Sequence, residues 1–155
     1  MRLKFSKMHG AGNDFVMIDA ISQKLSLDSE TIRYLADRHY GIGADQVLLV
    51  ENSRLENVDF RYRIFNCDGQ EVEQCGNGAR CFARFVFENG LTSKKRIRVQ
   101  TQKSIIEPEI LDDGRIKVMM GTVSLCPSDL PFEPRDLKHS MRARLPQWSY
   151  GGIEF

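Results

Sequence analysis

Apolar and polar residues alternate in short runs through much of this chain, and the period lengthens to three or four in two places. Residues 2–8 and 14–19 read as strands on either side of the turn Gly10-Ala11-Gly12-Asn13. Asp28-Ser29-Glu30-Thr31 has the form of a helix start, and Ile32, Leu35 and Ala36 mark an apolar face that runs out near Tyr40-Gly41. Gln46 to Val50 is an apolar strand, and residues 58–65 alternate well enough to be another. The second helical stretch carries Ala79, Phe82, Ala83 and Val86 on one face and stops at Asn89-Gly90. Lys95–Thr101, Ser104–Leu111 and Arg115–Met119 follow as a meander, with Asp112-Asp113-Gly114 as its tightest turn. After Gly121 the pattern weakens, and residues 126–150 hold four of the five prolines. The expected organisation is a unit over residues 1–121, then a connection and the incomplete start of a second unit over 122–155.

Hydrophobic residues make up 41% of the 155, enough for a sizeable core in one domain of this length. Twenty-two basic against 21 acidic residues leave a net charge of +1, so nothing in the whole-chain charge points to nucleic acid or a membrane surface. No apolar run approaches the ~18 residues of a spanning helix. The basic N-terminus has no apolar segment behind it, so the chain reads as cytoplasmic.

The segment Asn66 to Cys81 carries the most chemistry. It leaves a strand, turns at Asp68-Gly69, and sets Cys75 at the mouth of the second helix. Gly76, Asn77 and Gly78 then fall in the first turn, where backbone N–H groups have no intrahelical partner. That end of a helix carries about half a positive charge, which favours a thiolate over a thiol and a bound anion over water. The plainer alternative is a turn with a small buried cysteine ahead of an amphipathic helix. Cys81 reads as core filler, Cys67 as exposed in the turn, and Cys126 as incidental. With no C-x-x-C pair and three scattered histidines, a zinc site has poor support.

Two glycine-rich segments, His9 to Phe15 and Tyr40 to Gln46, look superficially like nucleotide loops. Neither completes G-x-G-x-x-G, and neither has a P-loop ending. Tight turns needing positive φ account for them equally well. Both, however, end on an amide, Asn13 and Gln46, and a third amide, Asn66, leaves the strand that leads to Cys75. Amides donate to carboxylates and accept from ammonium groups. Three of them near one thiol suggest a site for an α-amino acid zwitterion.

The blocks Lys7-Met-His-Gly-Ala-Gly-Asn-Asp-Phe15, Asp37-Arg-His-Tyr-Gly-Ile-Gly-Ala-Asp-Gln46, Tyr62-Arg-Ile-Phe-Asn66 and Glu73-Gln-Cys-Gly-Asn-Gly-Ala-Arg-Cys-Phe-Ala-Arg-Phe85 resemble diaminopimelate epimerases, in the same order. The likeness runs from the N-terminus to about Phe132. It implies an α+β fold, one half of a pseudo-symmetric pair, each half an antiparallel sheet wrapped around a central helix. It further implies an isomerase without pyridoxal or metal that interconverts LL- and meso-diaminopimelate in lysine and peptidoglycan precursor synthesis. A half that normally packs on its twin would leave an apolar face bare, so self-association or a homodimer is expected. By resemblance Cys75 is one of two catalytic cysteines, and Asn13, Gln46, Asn66, Gly76 and Asn77 bind substrate. Cys67 departs from the family, which commonly has a small Ala there.

Inverting a stereocentre requires a base on one face and an acid on the other. In the family the second thiol comes from a Gly-Ser-Gly-x-Cys-like helix start in the second half, and this sequence has no such motif. The 155 residues are therefore expected to be inactive alone. Three other readings stand beside this one: a racemase or isomerase of the same fold, a non-enzymatic amino-acid-binding half-domain, and a thiol redox protein, the last lacking C-x-x-C.

Overall fold

In the computed structural model, residues 2–73, 75–122, 126, 138–142, 145–150 and 153–154 are described. Gln74 of the cysteine motif, Phe132, and Pro127, Pro131 and Pro134 lie outside them. The elements in chain order are β1 Ser6–Gly10, β2 Asn13–Asp19, α1 Ser29–Ala36, β3 Gln46–Asn52, β4 Phe60–Asn66, β5 Glu71–Val72, α2 Gly76–Glu88, β6 Val99–Gln100, β7 Ile105–Ile106, β8 Glu109–Ile110 and β9 Ile116–Lys117. Beyond them come β10 Lys138–Arg142, β11 Leu145–Tyr150 and β12 Ile153–Glu154. The chain divides into two compact units, one ending at Met120 and the other beginning at Gly121.

In the first unit seven strands form one sheet in the order β1-β2-β3-β4-β6-β7, with β5 also pairing β4. The class is α+β, as the resemblance implies. Pairing is antiparallel at β1–β2, β3–β4, β4–β5 and β6–β7 but parallel at β2–β3 and β4–β6. The parallel pairs follow from connectivity, because α1 lies between β2 and β3 and α2 between β4 and β6, and a helical crossover returns the chain in the same direction. β8 and β9 form a separate antiparallel pair.

Side-chain alternation assigns the two faces of the sheet. Phe15, Met17, Leu48, Val50, Tyr62 and Ile64 pack with Ala79, Phe82, Ala83 and Val86 of α2 in one core cluster. Val16, Ile18, Val47, Leu49 and Phe65 pack with Ile32, Leu35 and Ala36 of α1 in the other. The sheet therefore lies between the helices, and both helical faces expected from the sequence are buried.

Several elements differ from the pattern. β3 runs on to Asn52 and β4 covers Phe60–Asn66. The expected meander after α2 is split, because Ser104–Leu111 divides into β7, which pairs with β6 in the main sheet, and β8, which pairs with β9 apart from it. β1 begins at Ser6 rather than residue 2 and runs through Gly10, which pairs with Asn13. A two-residue hairpin loop sets that register. Ala11 and Gly12 take φ of 55° and 84°, the double positive φ that matches the twist of the strands. α1 ends at Ala36 rather than near Tyr40, because the Asp37 carboxylate accepts the N–H groups of both His39 and Tyr40 at 2.7 Å and offers the backbone a partner other than the helix. Gly43 has φ 78°, and a Cβ there would meet Arg38 Cα at 2.9 Å, so this tight return into β3 needs glycine.

In the second unit β10, β11 and β12 form a three-stranded antiparallel sheet, with Met141 opposite Pro146. No described helix is long and apolar enough to cross a membrane.

Candidate functional site

β2 and β3 run parallel and β4 runs against them, so the starts of β2 and β3 and the end of β4 meet at one end of the sheet. Asn13, Gln46 and Asn66 occupy those three positions. Each stands two residues from a side chain in the α2-facing core, namely Phe15, Leu48 and Ile64. Period-two alternation therefore places all three amides on the face that carries α2. The first turn of α2 lies against the same strands: a Cβ on Gly78 would meet Ile64 Cδ1 at 3.1 Å and Phe15 Cε1 at 3.4 Å.

Cys75 is the N-cap of α2, with extended backbone. Its sulfur accepts the Gly78 N–H at 3.4 Å and stands 3.4 Å from Asn13 Oδ1. Its backbone N–H donates to the Tyr62 hydroxyl at 2.9 Å. Tyr62 is buried against Phe82, and burial pushes its hydroxyl up to about 12. As first and second residues of the helix, Gly76 and Asn77 present backbone N–H groups that no helical carbonyl can reach. The Asn77 side-chain oxygen accepts from Arg80 one turn on. Met120 covers Gly76, where a Cβ would come within 2.9 Å of its sulfur.

Gln46 and Asn66 sit directly opposite each other in the β3–β4 ladder, and Gln46 Nε2 donates to Asn66 Oδ1 at 2.8 Å. That bond leaves Gln46 Oε1 buried without a hydrogen-bond partner. A buried acceptor of this kind costs free energy until a donor reaches it.

Behind Asn13 lies a charged network. Asn13 Nδ2 donates to Asp45 Oδ2 at 3.0 Å, and the backbone N–H groups of Asp14 and Asp45 each donate to the other's carboxylate. Arg38 bridges both acids, at 2.7 Å from Asp14 and 2.8 Å from Asp45. Lys7 pairs with Asp14 at 2.9 Å and also donates to the Gly43 carbonyl. Arg38, with Lys7 beside it, holds the Asp14 carboxyl far below the usual carboxylate range. The Asn13 amide and the Asp14 N–H, with Arg38, lower that of Asp45.

The structure thus brings Cys75 and Asn13 into contact, joins Gln46 to Asn66, and places Gly76 and Asn77 at the helix mouth. Cys81 is buried, and burial pushes its thiol up. Cys67 is exposed. Among the described residues no three His, Cys, Asp or Glu side chains group as a metal site would need. Tyr62, Asp45, Asp14 and Arg38 were not singled out from the sequence. A buried tyrosine needs a partner for its hydroxyl, and a tyrosine inside an alternating strand was the one available signal. For the two acids the signal was fainter, an Asp beside the amide at each turn exit.

The sequence profile of diaminopimelate epimerase matches residues 5–126. The diaminopimelate epimerase of Aromatoleum aromaticum is 62% identical over 85% of this chain and 48% of its own length. That of Cupriavidus pinatubonensis is 56% identical over 88% of this chain and again 48% of its own length. The chain therefore spans about half the length of these curated relatives. Among solved structures, a probable proline racemase from Agrobacterium radiobacter superposes with a TM-score of 0.60 at 15% identity, covering 77% of this chain and 42% of that one, which is a likeness of fold. With the family profile matching most of its residues and relatives of this identity covering 85% or more of it, the chain belongs to the diaminopimelate epimerase family.

Proposed function

We propose that this chain supplies one acid/base group and part of the substrate cradle of an epimerase that interconverts LL- and meso-diaminopimelate. Cys75 transfers the Cα proton on one face, and a second thiol, from outside these residues, serves the other. The observation that carries this reading is Cys75 Sγ at the mouth of α2, 3.4 Å from Asn13, on the sheet face shared by the Gln46–Asn66 pair. The free N–H groups of Gly76 and Asn77 suit the substrate α-carboxylate and the charge that develops beside it as the Cα–H bond breaks. Gln46 Oε1, buried and unpartnered, suits a donor such as the substrate ammonium. The same reading assigns the reaction to lysine and peptidoglycan precursor synthesis in the cytoplasm, without pyridoxal or metal, in a homodimer.

The test is a chimera in which residues 1–120 replace the matching segment of the Aromatoleum relative. Chirality and deuterium content of diaminopimelate are then followed in D₂O. The folded chimera should invert the substrate, and its Cys75→Ala variant should not. A folded chimera without inversion, or a Cys75→Ala variant that retains it, would overturn the reading.

A second reading, an amino-acid-binding half-domain, is favoured by Cys75 being the one cysteine that caps a helix among the described residues. Such a module would bind diaminopimelate and leave its α-proton unexchanged.

A further inference from the structure

We infer that Asp45 is a positioning residue: by holding the Asn13 amide nitrogen it turns the Asn13 oxygen toward Cys75 and so biases Cys75 toward its protonated, acid form. The orientation follows from donor and acceptor chemistry. The Asp45 carboxylate, ion-paired with Arg38 at 2.8 Å, only accepts, so the Asn13 group 3.0 Å from it is the NH₂. The other end of the amide, facing Cys75 Sγ at 3.4 Å, is then the oxygen, which also only accepts. Between that oxygen and the sulfur a hydrogen bond exists only while Cys75 keeps its proton. A thiolate would face the oxygen's negative end until the amide turned over, and turning it over breaks the bond to Asp45.

The opposing influence comes from the helix itself, since the Gly78 N–H donates to the same sulfur and the dipole favours negative charge there. Cys75 therefore stands between one contact that favours the thiol and one that favours the thiolate, and Asp45 sets the first. Other ionisable groups that interact with it are Tyr62 on β4 and Cys81 on its own helix. Arg80 lies on that helix too, bonded to Asn77. Proton transfer needs a group that can be either acid or base, and a contact that can be made or broken by one amide rotation supplies such a bias. The catalytic meaning of this bias rests on the function proposed above, but the bias itself does not.

The test measures the pH profile of Cys75 alkylation by iodoacetamide, mapped by mass spectrometry on the 155-residue protein, with exposed Cys67 as internal reference. In Asp45→Ala the Asn13 amide is released, and the Cys75 profile should move to lower pH by about half to one unit, on the order of three- to tenfold in rate near neutrality. Removing a nearby negative charge would act in the same direction, so the same substitution is made in an Asn13→Ala background. If Asp45 acts through the amide, it should then have no further effect. Asp45→Asn, which keeps an oxygen for the amide but loses the charge, should retain the parent profile and serves if the alanine variant does not fold. An unmoved profile in Asp45→Ala, an equal shift in both backgrounds, or a shift in Asp45→Asn as large as that in Asp45→Ala overturns the inference. No substrate enters these measurements, so they stand or fall separately from the epimerase reading.

Discussion

The backbone N–H of Cys75 donates to the hydroxyl of Tyr62 at 2.9 Å, and Tyr62 is only 1% exposed. The bond ties the cap of α2 to the middle of β4. It lets a residue deep in the core fix the chain direction just where the sulfur must be aimed.

Tyr62→Phe keeps the ring against Phe60-flanked Phe82 and removes only the acceptor. The half-buried Cys75 N–H then loses its partner, and unfolding free energy should fall by about 1–2 kcal/mol in a urea titration. The pH dependence has a definite sign. Burial raises the Tyr62 hydroxyl from 10.0 to about 12, so it binds its proton more tightly folded than unfolded. Its contribution is complete below pH 10 and is lost as pH rises toward about 12. The phenylalanine variant should lose less stability than the parent across that alkaline window, and equal alkaline loss in both would exclude Tyr62 as its source.

Much of the fold was legible because burial follows periodicity. Ile32, Leu35 and Ala36 on α1, and Ala79, Phe82, Ala83 and Val86 on α2, face the core as their spacing requires. Strand ends were less legible, since they depend on registers that no local pattern contains. Gly10 joins β1 because it pairs with Asn13 across a double positive-φ turn, and α1 stops early because the Asp37 side chain competes for backbone N–H groups. At the site, a helix start, two amides at turn exits and a third at a strand end pointed to Cys75, Asn13, Gln46 and Asn66. What tied them together was hidden. Asp14, Asp45 and Arg38 come together through the parallel pairing of β2 with β3, a long-range consequence of the α1 crossover.

Thiol reactivity should rank by environment. Cys75 is half-buried at a helix mouth and Cys67 is exposed, whereas Cys81 is 4% exposed and burial raises its thiol above the ordinary value. Near neutral pH, iodoacetamide should label Cys67 and Cys75 well before Cys81, and in urea the three rates should converge. Mass mapping of a time course decides this. Labelling of Cys81 as fast as Cys75 in the folded protein would contradict the burial of that helix face.

The pair of acids around Arg38 predicts a loss of stability in acid. The Asp14 carboxyl is lowered by Arg38 and Lys7, so the folded protein holds its negative charge to lower pH than the unfolded chain does. The stabilisation is then complete above the ordinary carboxylate range near pH 4 and is lost as pH falls through and below it. Asp14→Asn should lower stability at neutral pH and flatten the acid limb of a Tm-against-pH curve. Because Arg38 is largely exposed, 0.5 M salt should recover part of the difference by weakening the parent. An unchanged acid limb in Asp14→Asn would move its origin to other carboxylates.

The last prediction concerns inversion by the 155 residues themselves. A single acid/base group can remove a proton and return it on the same face, which exchanges the α-hydrogen without changing configuration. Among the described residues Cys75 is the one cysteine that caps a helix, with Cys81 buried in the core and Cys67 exposed in the turn after β4. A positioned proton donor is worth about 10²–10⁴-fold. Without an opposing donor, inversion of meso-diaminopimelate should fall below detection, while weak binding through the amides and the α2 N–H groups persists. In D₂O, any slow deuterium uptake should leave the chirality intact and should vanish in Cys75→Ala. Adding the separately expressed second half of a relative should restore inversion if the two halves reassemble. Inversion by the chain alone would show that a second group within these residues reaches the opposite face, and the assignment of one face per half would have to be given up.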